Sequence, residues 1–370
     1  MAIAGEGDSR RGAVAGGISS QLRVAYVGVE SGTSRHRARA LERLGMHVTH
    51  IDPWAWLGQN KYLRHFHLKT GYALVAPVVG KRLYSLVAAS RPDVIWVNQG
   101  ELLGRGSLTR LRGLGVPIVN YANDNPFSPE CHRRFTQYRR ALDLYDLVVV
   151  VFEEAVSLAR AAGAKRVIRR HISADEVAHL AYGEAPRAKV HDVSFIGTWH
   201  PDGRGALIAE IIRQGVPLAL WGDRWEHDRE WSTIQSAWRG PGVYDEHKYA
   251  TIIGESRICL GLVNHVAGNQ HTDRSIEIPA IGSVLCAERT VEHEGMYKDG
   301  VEAVFWATPK ECASLCWVLL NDESKRAAME ASGRRRAIRN GYFNEKVLAG
   351  ILAELGVGRT LADLIPQTQP

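Results

Sequence analysis

The sequence predicts an α/β protein built from two doubly wound domains, and three observations lead to this prediction. Short apolar runs of strand length alternate with stretches of helical periodicity from residue 22 to residue 340. This alternation is typical of parallel sheets covered by helices on both faces. A polar stretch at 173–191 interrupts the pattern, and 370 residues are enough to bury two cores. We therefore expect one domain on each side of that stretch.

The first predicted domain has six strands separated by helical segments. We place its strands at residues 22–29, 46–51, 92–98, 116–120, 143–152 and 166–168. Each run is bounded by turn residues and is too short for a helix of typical length. Strands of this kind are buried on both faces of a parallel sheet.

Two loops of this domain follow strands at the edge where open α/β sheets bind ligands. Gly32, Thr33 and His36 follow the first strand, and a polar loop leading into a helix suits an anion or a sugar. Neither a dinucleotide nor a P-loop fingerprint is present there. Asn123 and Asp124 follow the fourth strand, where Asp124 is a candidate for a carboxylate near the reacting groups. A turn before proline also explains this Asp, and His36 could equally be an exposed first-turn histidine.

Residues 54–90 mix aromatic side chains with Lys, Arg and His. This composition could face lipid headgroups or a polyanionic acceptor. A pair of amphipathic helices with solvated cations is the simpler interpretation.

The second predicted domain has strands at 192–197, 217–221, 258–263, 283–287 and 302–306. After the first of them, Gly197 would let a diphosphate approach the backbone and Arg204 would neutralise it. After the next, Gly222 and Trp225 form a turn in which the indole either stacks on a base or is buried for structural reasons.

The stretch 270–288 is the most informative part of this domain. His271, Asp273 and Arg274 form a polar cluster that precedes a short helix ending before Gly282. Arg274 and Glu277 are three residues apart and share a helical face, where they suit a phosphate and a ribose diol. A surface salt bridge of little energetic weight is the alternative.

The run R-x-x-E-I-P-A-x-G, followed by E-x-T-x-E-H and D-G-x-E-A-V-F-W, resembles the C-terminal half of CgeB-like glycosyltransferases, which are related to glycosyltransferase family 1. The matching residues are Arg274, Glu277, Gly282, Glu288, Thr290, Glu292, His293 and 299–306. The resemblance implies a GT-B fold, in which two Rossmann-like domains face each other across a cleft and a C-terminal helix crosses back. We expect a disordered leader at 1–21, an acceptor-side domain at 22–185, a nucleotide-sugar domain at 186–340 and the crossing helix and tail at 341–370.

The resemblance also implies roles for individual residues. The donor would be bound by Gly197, Arg204, Gly222, Trp225, His271, Asp273, Arg274 and Glu277. The acceptor side would include Gly32, Thr33 and Asn123. If the reaction inverts, Asp124 or His36 could deprotonate the acceptor, and if it retains, the leaving phosphate itself could take that proton. Two positions depart from the pattern, because Asn123 replaces the first Asp of a D-D-P-F segment and Asn269 replaces a Glu common in retaining enzymes.

The implied function is transfer of a sugar from a nucleotide-sugar donor to the hydroxyl of a glycan, polysaccharide, protein or small molecule. No cofactor is expected, and no metal, since no D-x-D motif stands at a suitable strand end. The two departures leave a catalytically silent scaffold as an alternative. A nucleotide-sugar epimerase is the closest alternative enzyme.

Charge and cysteine content bear on partners and location. The net charge of +6 suits a nucleotide diphosphate or an anionic membrane face, whereas scattered arginines do not predict a nucleic-acid groove. Five cysteines, an odd number, favour free thiols in a reducing compartment. Cys312 and Cys316 lack a second pair with zinc spacing. Because residues 1–21 have no signal-peptide core, we expect a cytoplasmic protein, with contact at the inner membrane face as an alternative.

Overall fold

The computed structural model describes residues 21–58, 60–184 and 187–357, and these form two six-stranded parallel sheets. The predicted leader lies outside this part of the chain except for Gln21, and so do the predicted domain boundary at 185/186 and the tail beyond residue 357.

The first sheet has the order β2-β1-β3-β4-β5-β6, and all its pairings are parallel. Its strands are β1 Arg23–Val27, β2 His47–Ile51, β3 Val94–Asn98, β4 Ile118–Ala122, β5 Leu147–Val150 and β6 Val167–Arg169. All six predicted strands are confirmed within a few residues.

The second sheet has the order β12-β11-β10-β7-β8-β9 and is also parallel. Its strands are β7 His191–Ile196, β8 Leu218–Trp221, β9 Trp238–Gly240, β10 Ser256–Gly261, β11 Val284–Glu288 and β12 Val304–Trp306. The five predicted strands are confirmed, and β9 is an additional edge strand. It has three residues, two of them exposed, and therefore has no apolar run to reveal it.

Helices cover both faces of each sheet. The α-helices are α1 Gly32–Arg43, α2 Lys61–Lys69, α3 Ala76–Ser90, α4 Arg105–Arg112, α5 Thr136–Arg139, α6 Glu153–Ala161, α7 Arg204–Arg213, α8 Trp231–Ile234, α9 Glu246–Gly254, α10 Arg274–Ile281, α11 Val291–Met296, α12 Pro309–Asn321, α13 Glu323–Asn340 and α14 Asn344–Leu355. Short 3₁₀-helices are Pro53–Leu57, Leu142–Leu144, Ala181–Glu184 and Trp225–His227, and Glu176–Leu180 is a π-helix. The predicted linker 173–191 thus contains two helical turns.

The central strands are buried along their whole length because helices pack on both sides. Every residue of β3 and β4 is buried, and both are rich in β-branched side chains. Complete burial of one Val, Leu or Ile contributes roughly 1.5–3 kcal/mol, so these runs supply much of the stability. A separate small cluster of Leu57, Tyr72, Val79 and Leu102 lies beside the main core.

The last helix, α14, returns to the first sheet's domain and packs on α1. At its start, the backbone N–H of Asn344 donates to the Ala174 carbonyl at 2.9 Å. The Asn344 side chain, which is 1% exposed, accepts from Ser173 Oγ at 2.7 Å and donates to Asp175 Oδ2 at 3.2 Å. The predicted crossing of the C-terminal helix is confirmed.

Within the described ranges, none of the helices combines the length and apolar character that a membrane crossing needs.

Candidate functional site

A cleft of about 390 Å³ lies between the two domains, where the carboxyl edges of both sheets meet. Six of the residues predicted from the sequence line it: Asn123, Asp124, Gly197, Arg204, Asp273 and Arg274. The cleft therefore brings the loops after β4 and β7 together with the start of α10. Arg134, Thr198 and His200 also line it and were not predicted.

Arg274 is the first residue of α10 and reaches toward β7, where its Nε donates to the Ile196 carbonyl. Among the described residues, no carboxylate forms an ion pair with its guanidinium. The cleft thus contains one arginine whose charge is available to an anionic ligand.

Arg204 lines the same cleft, but its guanidinium is already bonded. Nε and Nη2 donate to the two oxygens of Asp202 at 2.9 and 2.6 Å, and Nη1 donates to the Thr198 carbonyl at 2.7 Å. The side chain is 9% exposed. Arg204 consequently fixes the loop between β7 and α7, and its charge is balanced by a neighbour.

Gly197 and Gly222 hold two loops against each other at the cleft floor. The N–H of Gly197 donates to the Trp221 carbonyl, and its own carbonyl accepts from Trp225 Nε1 at 2.8 Å. A Cβ on Gly222 would stand 1.9 Å from the Gly197 oxygen. Trp225 is fully buried, so the structure places it in the core, as the packing alternative expected, and Gly222 does not line the cleft.

Glu277 lies one turn into α10 and is 5% exposed. Tyr249 donates its hydroxyl to Oε2, and His179 Nε2 lies 3.6 Å from Oε1. Burial raises the pKa of Glu277 above its ordinary value, although the Tyr249 hydroxyl and Arg274 oppose the shift. Glu277 therefore lies behind the cleft wall and does not face the open space.

Asp273 precedes Glu277 by one turn and does line the cleft. Its Oδ1 is buried and has no hydrogen-bond partner among the described residues. Burial and the nearby Glu277 carboxylate raise the pKa of Asp273. An unpartnered acceptor at the wall of a polar cleft is suited to a ligand hydroxyl.

His36 lies at the interface of the two domains and is not part of the cleft lining. Its Nε2 is 3.1 Å from Glu246 Oε1 of α9, and its ring packs edge-on against His179. Gly32 and Thr33, at the start of α1, line neither the cleft nor the larger cavity described below. The structure thus separates these three predicted residues from Asp124.

Asn123 is held by Arg37, the residue that follows His36 in α1. Arg37 is fully buried, donates to Asn98 at 3.0 Å and to Asn123 Oδ1 at 2.8 Å, and lies over the Tyr121 ring. The Asn at this position therefore accepts a hydrogen bond from a buried cation.

Asp124 is the most exposed carboxylate of the loop after β4, with a side chain 43% exposed. Gln99 Nε2 donates to its Oδ2 at 3.0 Å, and Arg134 pairs with the same oxygen. Both contacts use Oδ2, so Oδ1 is the atom left for another partner.

A second cavity, of about 710 Å³, adjoins the cleft within the first domain. Trp54, Leu57, Leu68 and Tyr72 give it an apolar wall, and Arg134 lines both spaces. This cavity could not be predicted from the sequence, because its lining residues come from separate segments of the chain.

Glu101 is the buried carboxyl group of this cavity and was not predicted as a site residue. It is 5% exposed, and Arg134 Nε lies 3.4 Å from it. Burial raises its pKa to about 7, and Arg134 only partly opposes this effect. A carboxyl group that titrates near neutral pH is characteristic of functional sites.

His271 joins the two domains and does not line the cleft. Its Nε2 accepts from the Ile172 backbone N–H at 3.2 Å, which places the ring proton on Nδ1, and that nitrogen donates to Glu292. Glu292 in turn pairs with Arg169 of β6. With both ring nitrogens bonded, this predicted donor-binding residue is a contact between domains.

Among the described residues, two groups of side chains are close enough to share a metal ion, and neither group lines the cleft. One comprises His171, His271 and Glu292. The other comprises Cys286, Cys312 and Cys316, all buried in the core of the second sheet, with 4.0 Å between the Cys286 and Cys312 sulfurs. The sequence could not pair Cys286 with the other two because β11 and α12 meet only in the fold.

Part of the chain, mostly in the second domain, is similar to a known family. Residues 204–353 match the family model described as glycosyl transferase-like. No curated protein sequence matches the chain.

Comparison with solved structures supports the same fold over most of the chain. HepE of Anabaena, solved with UDP-glucose, has 12% identity and a TM-score of 0.60, covering 91% of this chain and 100% of HepE. Sucrose-phosphate synthase of Thermosynechococcus elongatus has 13% identity and a TM-score of 0.63, with 91% and 98% covered. A Listeria monocytogenes protein named for UDP-N-acetylglucosamine 2-epimerase activity has 11% identity and a lower TM-score of 0.55, with 91% and 97% covered. At these identities the likeness shows the GT-B fold, and the glycosyl transferase-like match over residues 204–353 agrees with that fold.

Proposed function

We propose that this glycosyltransferase takes a UDP-sugar as its donor in the interdomain cleft and transfers the sugar to an acceptor hydroxyl in the adjoining cavity. The observation that carries the proposal is that Arg274 and Asp124, which come from opposite domains, line the same cleft. UDP is favoured because the similar HepE structure was solved with UDP-glucose.

Arg274 would stabilise the negative charge that develops on the leaving diphosphate. Its guanidinium lacks a carboxylate partner among the described residues, and the backbone N–H groups at the start of α7 also point toward this edge of the sheet. Arg204, paired with Asp202, would orient the loop after β7 for that contact.

Asp273 and Glu277 would recognise donor hydroxyls from neighbouring turns of α10. Asp273 offers the unpartnered Oδ1, whereas Glu277 must exchange the Tyr249 hydroxyl for a ribose hydroxyl to bind directly. Asp273 is therefore the first contact that we expect with the donor.

Asp124 would accept the proton of the attacking hydroxyl at Oδ1. It lies where the cleft approaches the 710 Å³ cavity, and Arg134 and Gln99 fix its other oxygen. The apolar wall and the polar Arg64, Glu101 and Arg134 of that cavity suit an acceptor with an apolar body and a polar head.

We also propose that the reaction needs no divalent cation, with Arg274 neutralising the diphosphate instead. Support comes from the location of the two possible metal-binding groups away from the cleft. Activity that persists in excess EDTA is the expected result.

We propose a cytoplasmic location with a peripheral membrane contact. All five cysteines are free and buried, which suits a reducing compartment. An acceptor with an apolar body is most accessible at a membrane surface.

The test separates donor binding from transfer. UDP at 100 times its dissociation constant should stabilise the protein by about 2.7 kcal/mol, and GDP, dTDP and CMP should do so less. Arg274→Gln should lose most of the thermal shift, because a side chain without charge cannot pair with the diphosphate. Arg336→Gln is the matched control, since Arg336 is also half-buried and donates through Nε to a backbone carbonyl.

Asp124→Asn should keep the UDP shift and lose transfer by roughly 10²–10⁴-fold, because the variant cannot take a proton. Asp143→Asn, at an Asp that is 37% exposed and also paired with an arginine, should leave both unchanged. An equal UDP shift in wild type and Arg274→Gln would contradict the donor site. Epimerised UDP-sugar formed without acceptor would contradict transfer itself.

A further inference from the structure

The positive charge of this chain is concentrated in one segment. Residues 53–92 contain no Asp or Glu and hold six cations: Lys61, Arg64, Lys69, Lys81, Arg82 and Arg91. The whole chain has a net charge of +6, so the rest of it, with 40 Asp and Glu, is electrically balanced. This segment comprises the 3₁₀-helix Pro53–Leu57, α2, α3 and the turns between them.

Four cations of α2 and α3 are free to face an external anion. Among the residues that the structure describes, no carboxylate pairs with Arg64, Lys69, Lys81 or Arg82, and Arg82 instead lies 4.6 Å above the Trp56 ring. The potential of this surface is therefore not cancelled by neighbouring acids.

The same two helices expose large apolar side chains. Phe66 of α2 is 50% exposed and Leu63 45%, Val78 of α3 is 72% exposed, and Leu74 in the turn between them is 60% exposed. Among the described side chains of α2, His67 is buried, Leu68 is half-buried and Leu63 and Phe66 are exposed. Exposed apolar side chains interleaved with cations are typical of a surface that binds a partner.

This surface is next to the proposed acceptor cavity. Arg64, His65 and Leu68 of α2 line that cavity, and α2 and α3 enclose the small cluster of Leu57, Tyr72 and Val79. Whatever docks on α2 and α3 would therefore lie at the cavity entrance.

We propose that α2 and α3 dock the protein on an anionic membrane surface, with the cations against the headgroups and the exposed apolar side chains in the interfacial layer. The cations of α2 and α3 favour an anionic partner, because opposite charges attract. The exposed Phe66, Leu63 and Val78 select lipid over a soluble polyanion, since a polyanion has no apolar layer to receive them. The docking would bring an acceptor held in the membrane to the cavity. Binding to the membrane does not require the nucleotide-sugar donor.

Vesicle co-sedimentation of the full chain tests this. We expect binding to vesicles of phosphatidylcholine with one third phosphatidylglycerol and no binding to pure phosphatidylcholine. Lys69→Gln with Lys81→Gln should weaken binding about 30-fold, because each removed charge loses its attraction to the surface. Leu63→Gln with Phe66→Gln should weaken it at least about tenfold by removing interfacial burial.

Two control pairs match these variants on helices of the second domain. Val318→Gln with Ile338→Gln removes apolar side chains that are 49% and 47% exposed, close to the values for Leu63 and Phe66. Lys310→Gln with Lys325→Gln removes two exposed cations of α12 and α13. Both control pairs should bind vesicles as wild type does, and all variants should keep the thermal shift with UDP.

The proposal fails if wild type ignores anionic vesicles, or if the control pairs weaken binding as much as the α2 and α3 pairs. It also fails if two results occur together: the lysine pair loses binding while the Leu63 and Phe66 pair keeps it, and heparin displaces the wild-type protein fully from the vesicles. That last outcome would assign the surface to a soluble polyanion. Because binding is measured without donor, failure here is distinguishable from failure of the UDP-sugar assignment.

Discussion

At the residue scale, the chemistry of the cleft depends on which charged groups are already paired. Arg204 and Arg274 both line it, and an Arg at a helix start suggests the same role for each. Asp202 balances Arg204, whereas within the described part of the chain Arg274 donates only to the Ile196 carbonyl. A charge that is already compensated contributes little to a ligand, so the two positions have different functions.

Glu101 provides a prediction on pH dependence. Burial raises its pKa from the ordinary 4.5 to about 7, so the folded protein holds this proton more tightly than the unfolded chain. Stability is therefore lost as pH rises through that window, by about 2–3 kcal/mol. Glu101→Gln should match wild type at pH 5 and be more stable at pH 8 by that amount in urea unfolding.

Glu354→Gln is the control for this experiment, because it makes the same change at a side chain that is 44% exposed. A Glu101→Gln variant with the same stability difference at both pH values would mean that Arg134, 3.4 Å away, compensates the buried charge fully.

At the element scale, the loops after β7 and β8 approach too closely for any side chain at Gly222. A Cβ there would be 1.9 Å from the Gly197 oxygen and 2.5 Å from Trp225 Nε1. Gly222→Ala should therefore destabilise the protein by about 1–3 kcal/mol and weaken UDP binding, since Gly197 moves with the loop. Thermal unfolding with and without UDP measures both effects.

Gly106→Ala in α4 is the matched control. It adds the same methyl group in open space, within a helix, where alanine is favoured by roughly 0.5–1 kcal/mol. If Gly222→Ala proved as stable as this control, the close approach of the two loops would not constrain the cleft.

The elements that follow apolar periodicity could be predicted from the sequence. Eleven of the twelve strands were, because parallel strands buried on both faces appear as continuous apolar runs. α10 also begins and ends as expected, with Gly282 in the left-handed region at its end. The edge strand β9 and the turns at 176–184 carry no such signal, so they were missed.

Contacts between distant segments could not be predicted. Arg134 pairs with Glu101 and Asp124, and His36 meets Glu246, because loops from different strands converge in space. A single sequence contains residue types and local spacing, and neither one encodes such convergence. The local residues of the cleft were therefore found, while the partners that hold them were not.

At the scale of the whole molecule, several polar contacts join the two domains around the cleft. Glu246 of the second domain pairs with Arg35 and lies beside His36. Glu292 pairs with Arg169 while His271 accepts from the Ile172 backbone. Because these two sets of contacts lie on separate elements, they restrict the relative movement of the domains. The geometry of the cleft therefore depends on both sets of contacts.

The crossing helix α14 makes the fold of the first domain depend on the end of the chain, and Asn344 is the residue that tests this. Asn344→Ala removes the bonds to Ser173 and Asp175, and it leaves the buried Ser173 hydroxyl without its acceptor, whereas Asp175 Oδ2 keeps its bond from Arg43. The expected cost is about 1–3 kcal/mol, the cost of one unsatisfied buried group. Asn340→Ala, which removes one bond from a half-buried asparagine, should cost less.

Hydrogen exchange shows where that cost falls. Exchange should accelerate in α1 and in residues 173–176, which contact the start of α14, and should change little in β10 and β11 of the second sheet. Equal acceleration in both sheets would mean that the molecule opens as one unit. Acceleration confined to α14 would mean that the helix is an appendage, and the first domain would then be complete without it. α1 also carries Arg37, which holds Asn123 at the cleft. Faster exchange in α1, the expected result, would therefore make donor and acceptor binding sensitive to a residue near the C-terminus.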